Sequence, residues 1–194
     1  AFLYAGYPGA QGGNAVASIL FGEHSPEGKL PITFYKTTEE LPEFTDYSMK
    51  GRTYRYMTQE ALYPFGYGLS YTDFEITNAK ISTDTISSED VTVELDITNS
   101  GDYDGAQTIQ VYIKLNKEGT PNPQLKAFKK VRLKKGESNH VKLTLESDAF
   151  ALYNEEGIKV INEGDYTVYV GISQPDTRSI SLLGKKPVEF KLKA

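Results

Sequence analysis

GRTYRYMTQEALYPFGYGLSYT, residues 51–72, is the stretch on which the fold turns. It is dense in tyrosine and ends in the run Pro64-Phe65-Gly66-Tyr67-Gly68-Leu69-Ser70-Tyr71. Immediately after it, from Phe74 onward, the hydrophobic period drops to two. Val91, Val93, Leu95 and Ile97 alternate with polar residues, and Asn99-Ser100-Gly101-Asp102 then supplies a turn. A second run sets Ile109, Val111, Ile113 and Leu115 on one face and Gln110, Tyr112 and Lys114 on the other, which is expected to be solvated. Further alternating runs cover 128–133, 141–145, 166–172 and 188–192, separated by Gly-, Asn- and Pro-containing turns. Seven or so short strands at this spacing predict an antiparallel β-sandwich over residues 74–194. No Cys-Trp-Cys pattern is present, which disfavours a true immunoglobulin domain.

Upstream of residue 51 the pattern is mixed. Phe2-Leu3-Tyr4 reads as the start of a buried strand. Ala15, Val16, Ile19 and Leu20 then recur at helical spacing after a Gly-rich turn, and Gly22 is placed to stop that helix, because glycine tolerates the left-handed conformation of a C′ residue. Pro31-Ile32-Thr33-Phe34-Tyr35 reads as a strand, and residues 36–63 show no sustained period. Loops of that length are usually functional or wrapped over another surface. Fifteen of the 23 aromatics fall in residues 1–75, which favours wrapping, since rings bury much area on few rotatable bonds. These elements form no complete layer, so residues 74–194 are expected to fold alone and residues 1–73 are not.

Composition narrows the function classes. The chain is 39% hydrophobic and 24% charged, enough to build a core, and no apolar run approaches the ~20 residues of a membrane span. AFLYAGYPGA lacks the basic start of a signal peptide, and both cytoplasmic and secreted placements stay open. The absence of cysteine removes disulfides, thiolate metal sites and cysteine nucleophiles. A net charge of −5, with 5 Lys+Arg against 9 Asp+Glu in residues 1–75 and 16 against 17 thereafter, argues against a nucleic-acid surface.

Few side chains suggest chemistry. Gly12-Gly13 lacks the Lys-Ser/Thr of a P-loop and the third glycine of GxGxxG, so it reads as a turn. His24 and His140 have no companion ligands in the sequence, so neither a metal nor a cofactor is expected. Lys130, Arg132 and Lys134 share one strand face, the usual mark of a solvated or protected edge. Arg52, Tyr54, Arg55 and Tyr56 form one cluster suited to sugar, because aromatic faces stack on sugar C–H surfaces and arginine donates paired hydrogen bonds. The same four residues suit packing of the long loop, and both readings stand at this point.

The motifs resemble, in order, those of family 3 glycoside hydrolases. The Pro64–Tyr71 run is similar to the signature that closes the second catalytic domain of these retaining β-glucosidases and β-xylosidases. Ala5-Gly6-Tyr7-Pro8-Gly9, Gly12-Gly13-Asn14-Ala15 and Gly28-Lys29-Leu30-Pro31 resemble the strand, turn and loop before it. Leu125-Lys126-Ala127-Phe128 and Gly164-Asp165-Tyr166 resemble motifs of the fibronectin type III-like sandwich that follows it in many members. Ser25, Glu27 and Ala127 depart from the usual residues. The resemblance implies the C-terminal piece of an α/β sandwich domain, residues 1–73, followed by a fibronectin type III-like sandwich, residues 74–194. It also implies that the nucleophile and acid/base lie upstream of residue 1. Glu23, Glu39, Glu40, Glu43 and Asp46 match neither catalytic segment and read as solvated loop charge. The chain by itself is then expected to be inactive, and to need the N-terminal part of the enzyme, or a separate partner chain, to act on a β-linked oligosaccharide or aryl glycoside. Gly51-Arg52-Thr53-Tyr54 resembles a β-xylosidase segment, while β-glucosidases carry related sequences. The rival reading is a non-catalytic carbohydrate- or protein-binding β-sandwich module.

Overall fold

The computed structural model describes residues 2–194. Its body is a sandwich of two antiparallel sheets. One carries β1 (Phe74–Ile81), β2 (Val91–Asn99) and β5 (Ser138–Leu145), in the order β1-β2-β5. The other carries β3 (Gly105–Leu115), β4 (Gln124–Leu133), β8 (Asp165–Gly171) and β9 (Val188–Lys193), in the order β4-β3-β8-β9. A two-stranded ribbon, β6 (Leu152–Tyr153) with β7 (Lys159–Val160), stands at one end. The fourth strand joins the third, not the sheet of the fifth, so the sheets differ from those of a constant immunoglobulin domain.

Alternation places the core. Val93, Leu95 and Ile97 from one sheet meet Ile109, Val111, Val168 and Val170 from the other, all fully buried. Tyr166 closes one end: its hydroxyl donates to the Asn162 carbonyl at 2.9 Å and its ring meets Phe150 edge-on at 5.9 Å. That is the tyrosine corner of sandwich folds, which fastens the start of a strand to the loop before it.

Ahead of the sandwich the structure is sparser than the sequence pattern predicts. The expected helix is present as α1 (Gly12–Leu20), and Gly22, at φ +77°, follows it as expected. The expected strand at Phe2-Leu3-Tyr4 is absent: all three residues are irregular and exposed. A strand needs a neighbour for its backbone groups, and nothing among the described residues pairs with this one. Pro31–Tyr35 is likewise only an isolated bridge, Phe34 to Tyr63, extended by a few loop hydrogen bonds. Residues 36–63 hold a 3-10 turn at Thr38–Glu40 and the single-turn α2 (Thr53–Tyr56).

A second correction concerns β3. Its outer face is not solvated at Gln110 and Tyr112: both are buried, against Tyr54 and Gly66 of the preceding segment. Three features fix that cover. Tyr112 donates to Oε1 of Gln110 at 2.6 Å, the Gln110 amide donates to the Gly66 carbonyl at 3.0 Å, and the Tyr54 ring meets Tyr112 edge-on at 6.3 Å. A polar-looking face was thus an internal interface whose polar atoms satisfy each other.

The sequence reading also missed α3 (Thr177–Leu183). Asp176 caps it by accepting from the Ser179 N–H at 2.6 Å, and Gly184 ends it at φ +66°. Both signals stand in the sequence, but Gln174-Pro175-Asp176 reads first as a turn between strands.

Candidate functional site

Residues 62–72 form the joint between the N-terminal region and the sandwich, and each glycine of the signature run has a geometric reason. Leu30 donates to the Tyr67 carbonyl at 2.9 Å and Gly66 donates to that of Leu30 at 2.8 Å, while Leu62 donates to the Phe34 carbonyl at 2.8 Å and Phe34 to that of Tyr63 at 3.0 Å. Gly66 sits at φ +75°, and a Cβ there would stand 2.2 Å from Oε1 of Gln110. At Gly68 a Cβ would stand 2.5 Å from the Gly28 carbonyl oxygen. Ser25 accepts from the Tyr71 N–H at 3.0 Å and shares a hydrogen bond with Ser70 at 2.8 Å. Thr72 donates to Asn99 of β2 at 2.6 Å, which carries the joint into the sandwich.

Charges brace the same joint. Lys29 donates to the Gly68 carbonyl at 2.6 Å; burial first, and Lys130 second, lower its pKa to about 8. Glu27 holds the basic strip of β4, reaching Lys130 at 3.0 Å and Arg132 at 2.6 Å. The strip anticipated as solvated therefore has a carboxylate partner, although both cations stay at least half exposed.

The four candidate sugar-contacting residues part company. Arg52 turns back onto its own loop, donating to the carbonyls of Ser48 at 3.0 Å, Glu43 at 3.0 Å and Asp46 at 2.5 Å. Tyr54 stacks on Phe65 with ring centres 4.2 Å apart, and its hydroxyl accepts from the Leu125 N–H at 3.2 Å. Arg55 and Tyr56 instead line a cleft of about 780 Å³ at the end of the sandwich. Asn122 fixes that wall: its backbone N–H donates to the Arg55 carbonyl at 2.8 Å and its amide donates to Tyr54 and Met57 at 3.0 and 2.9 Å.

The same cleft is lined by Lys126, Glu146, Asp148, Tyr153 and Lys159. Sequence reading missed this group because its members come from β4, the 3-10 turn at Ser147–Phe150 and the β6–β7 ribbon, which only folding brings together. Lys126 carries the one available signal, since it is the second residue of a motif quoted for the sandwich. Among the five carboxylates read as loop charge, Asp46 accepts from Ser48, whose bonds hold it below the usual carboxylate range. His140 lies 2.7 Å from the Asp96 carboxylate on the exposed sheet.

A sandwich joined through a glycine-rich, aromatic closing segment to the end of a preceding domain is the build of a glycoside hydrolase C-terminal region. Residues 1–71 match the glycosyl hydrolase family 3 C-terminal domain, and residues 107–174 match the fibronectin type III-like domain. A xylan 1,4-beta-xylosidase of Xylanibacter ruminicola is 42% identical over 91% of this chain, and a periplasmic beta-glucosidase of Salmonella typhimurium is 34% identical over 89%. The chain spans 20% and 24% of their respective lengths. The crystal structure of a beta-glucosidase from Listeria innocua in complex with glucose superposes with a TM-score of 0.78 at 32% identity, covering 96% of this chain and 27% of that one. The chain belongs to glycosyl hydrolase family 3, and it corresponds to the C-terminal portion of the family's enzymes.

Proposed function

We propose that this chain works as the C-terminal part of a retaining β-glycosidase that removes terminal β-linked glucose or xylose from oligosaccharides. In that assembly the nucleophile and the acid/base come from polypeptide upstream of residue 1, and this chain completes the second catalytic domain and braces it with the sandwich. The observation that carries the reading is the ordered pair of family matches, joined by a closing segment whose glycines are geometrically required.

A second observation supports an upstream partner. α1 has no buried residue, and Phe2, Tyr7, Leu20, Phe21, Phe44 and Tyr47 are among the exposed large apolar side chains. Apolar surface on that scale marks an interface, and the length of the relatives supplies its occupant: the preceding part of the same enzyme. Retaining hydrolysis needs two carboxyl groups about 5–5.5 Å apart across the scissile bond. Upstream segments are proposed to supply both. For substrate contact, Arg55 and Tyr56 are the proposed pair, because they face a cleft, whereas Arg52 and Tyr54 serve the loop and the sandwich.

Turnover of aryl β-xylosides and aryl β-glucosides tests this directly. The purified chain is expected to show none, and a chimera in which it replaces the corresponding part of the Xylanibacter ruminicola relative is expected to be active. Turnover by the chain alone that disappears on mutating one of its own Asp or Glu residues overturns the proposal.

A further inference from the structure

We propose that the cleft between α2, the β3–β4 loop, the start of β4 and the β6–β7 ribbon is an oligosaccharide site that selects sugars carrying a carboxylate, with Arg55 and Lys126 as its anion-binding pair. The choice of a sugar as the carrier of that carboxylate rests on the glycosidase reading; the anion-binding pair does not.

Three observations converge. The first is an uncommitted positive charge. Lys126 makes no ion pair among the described residues, and the charged groups that act on it are Arg55, Asp148 and Lys159. Asp148 is the sole carboxylate of the three, and it is engaged by Lys159 at 2.5 Å. Arg55 is in the same position, without a carboxylate partner among the described residues, its guanidinium lying 6.0 Å from the centre of the Tyr54 ring. Burial and Arg55 both push the Lys126 ammonium below its usual range, the direction expected of a cation that an incoming anion would relieve.

The second observation is a prepared wall. Arg55 belongs to a single helical turn pinned by the three Asn122 hydrogen bonds. The adjoining loop is tied by Thr120, which donates to Leu115 and Lys117, and by Lys114, which donates to Pro121 at 2.9 Å. The backbone of the wall is ordered before binding, so only the Arg55 and Lys126 side chains remain to be fixed by the ligand.

The third is the neutral part of a lining that also carries Lys117, Glu118 and Glu146. Tyr153, 70% exposed, offers a ring face at the ribbon end, and Asn154, Asn162 and Gln124 offer amides. A stacking ring, neutral hydrogen-bonding groups and a cationic pair together suit a short sugar chain with one acidic residue. The volume, about 780 Å³, falls within the roughly 300–1,000 Å³ of small-molecule sites.

Binding to the 194-residue chain, followed by calorimetry and by chemical-shift changes at the cleft, tests the proposal. The probes are xylotriose bearing one glucuronic acid, plain xylotriose, and free glucuronic acid. The acidic oligosaccharide is expected to bind about tenfold more tightly than the neutral one, a factor set by one charge-assisted contact. Lys126→Gln is expected to remove that advantage and leave the weak neutral binding unchanged, whereas Arg55→Gln is expected to remove it and to weaken the neutral sugar as well. Tyr153→Ala is expected to weaken both sugars alike. Equal binding of acidic and neutral sugars, no binding of either, or glucuronic acid binding as tightly as the oligosaccharide overturns the proposal. None of these readouts requires turnover. An inactive chimera with selective binding therefore removes the glycosidase reading alone, and an active chimera without selective binding removes the cleft alone.

Discussion

The phenol oxygen of Tyr112, in β3, lies within clashing distance of where a side chain on Gly66 would begin. A Cβ at Gly66 would stand 2.7 Å from it, and the Gly66 backbone is held at φ +75°. Gly66→Ala therefore meets a clash and a strained backbone together, and is expected to cost about 2–4 kcal/mol of stability. Chemical denaturation measures it. A change below about 0.5 kcal/mol, the usual range of surface substitutions, would show that residues 62–67 do not pack on β3 as described.

Arg52 and Tyr54 are expected to affect stability before activity. Arg52→Ala frees three loop carbonyls, which water partly re-satisfies, so a loss of about 1–2 kcal/mol is expected. Tyr54→Ala removes a half-buried ring stacked on Phe65 and is expected to cost about 2–3 kcal/mol. Tyr54→Phe keeps the stack and should lose only about 0.5–1.5 kcal/mol, the worth of its bond to Leu125. In an active chimera, a large fall in kcat with an unchanged Tm for Arg52→Ala would return that residue to the sugar.

What the sequence made legible follows from what each signal depends on. Period-two alternation depends only on a strand having one buried face, so Val91–Ile97 was readable without knowing the partner strands. Gln110 and Tyr112 also alternate, yet their face is buried by a segment more than forty residues earlier. Alternation cannot distinguish water from an aromatic cover whose polar atoms match its own. Phe2–Tyr4 failed for the opposite reason: a strand-like composition forms a strand only where neighbours accept its hydrogen bonds. The cleft was the least legible part. Arg55 was picked out by its neighbourhood in sequence, whereas Lys126 and Tyr153 join it only through the sandwich.

The boundary proposed between residues 73 and 74 has a measurable cost. A piece containing residues 74–194 keeps the whole inter-sheet core but exposes Gln110 and Tyr112 on the outer face of β3. It is expected to fold, with a dispersed amide spectrum, yet with a lower Tm than residues 51–194, which retain the cover. Residues 1–73 alone are expected to give a collapsed spectrum. Equal Tm values for the two sandwich pieces would mean that the cover contributes nothing, and a dispersed spectrum for residues 1–73 would move the boundary.

Lys29 gives the joint a pH dependence whose sign is fixed. Its ammonium is held among residues of the closing segment and beside Lys130, so the folded-state pKa falls from 10.5 to about 8. Between those values the unfolded chain binds more protons than the folded one, so this residue makes stability rise as pH increases from about 8 to about 10.5. Below pH 8 both states carry the proton, and the full penalty of burying the charge is present. Lys29 is not wholly sealed from solvent, so the expected gain is about 1–3 kcal/mol, less than the full shift converted at about 1.4 kcal/mol per unit. Lys29→Met has no proton to lose. The wild-type chain should therefore gain stability relative to Lys29→Met across that window, and the difference isolates this residue from the rest of the chain. Urea unfolding of both chains at several pH values between 7.5 and 10.5 measures it. Parallel profiles would mean that the ammonium at the joint is solvated, and that the hydrogen bond to Gly68 is made without a burial penalty.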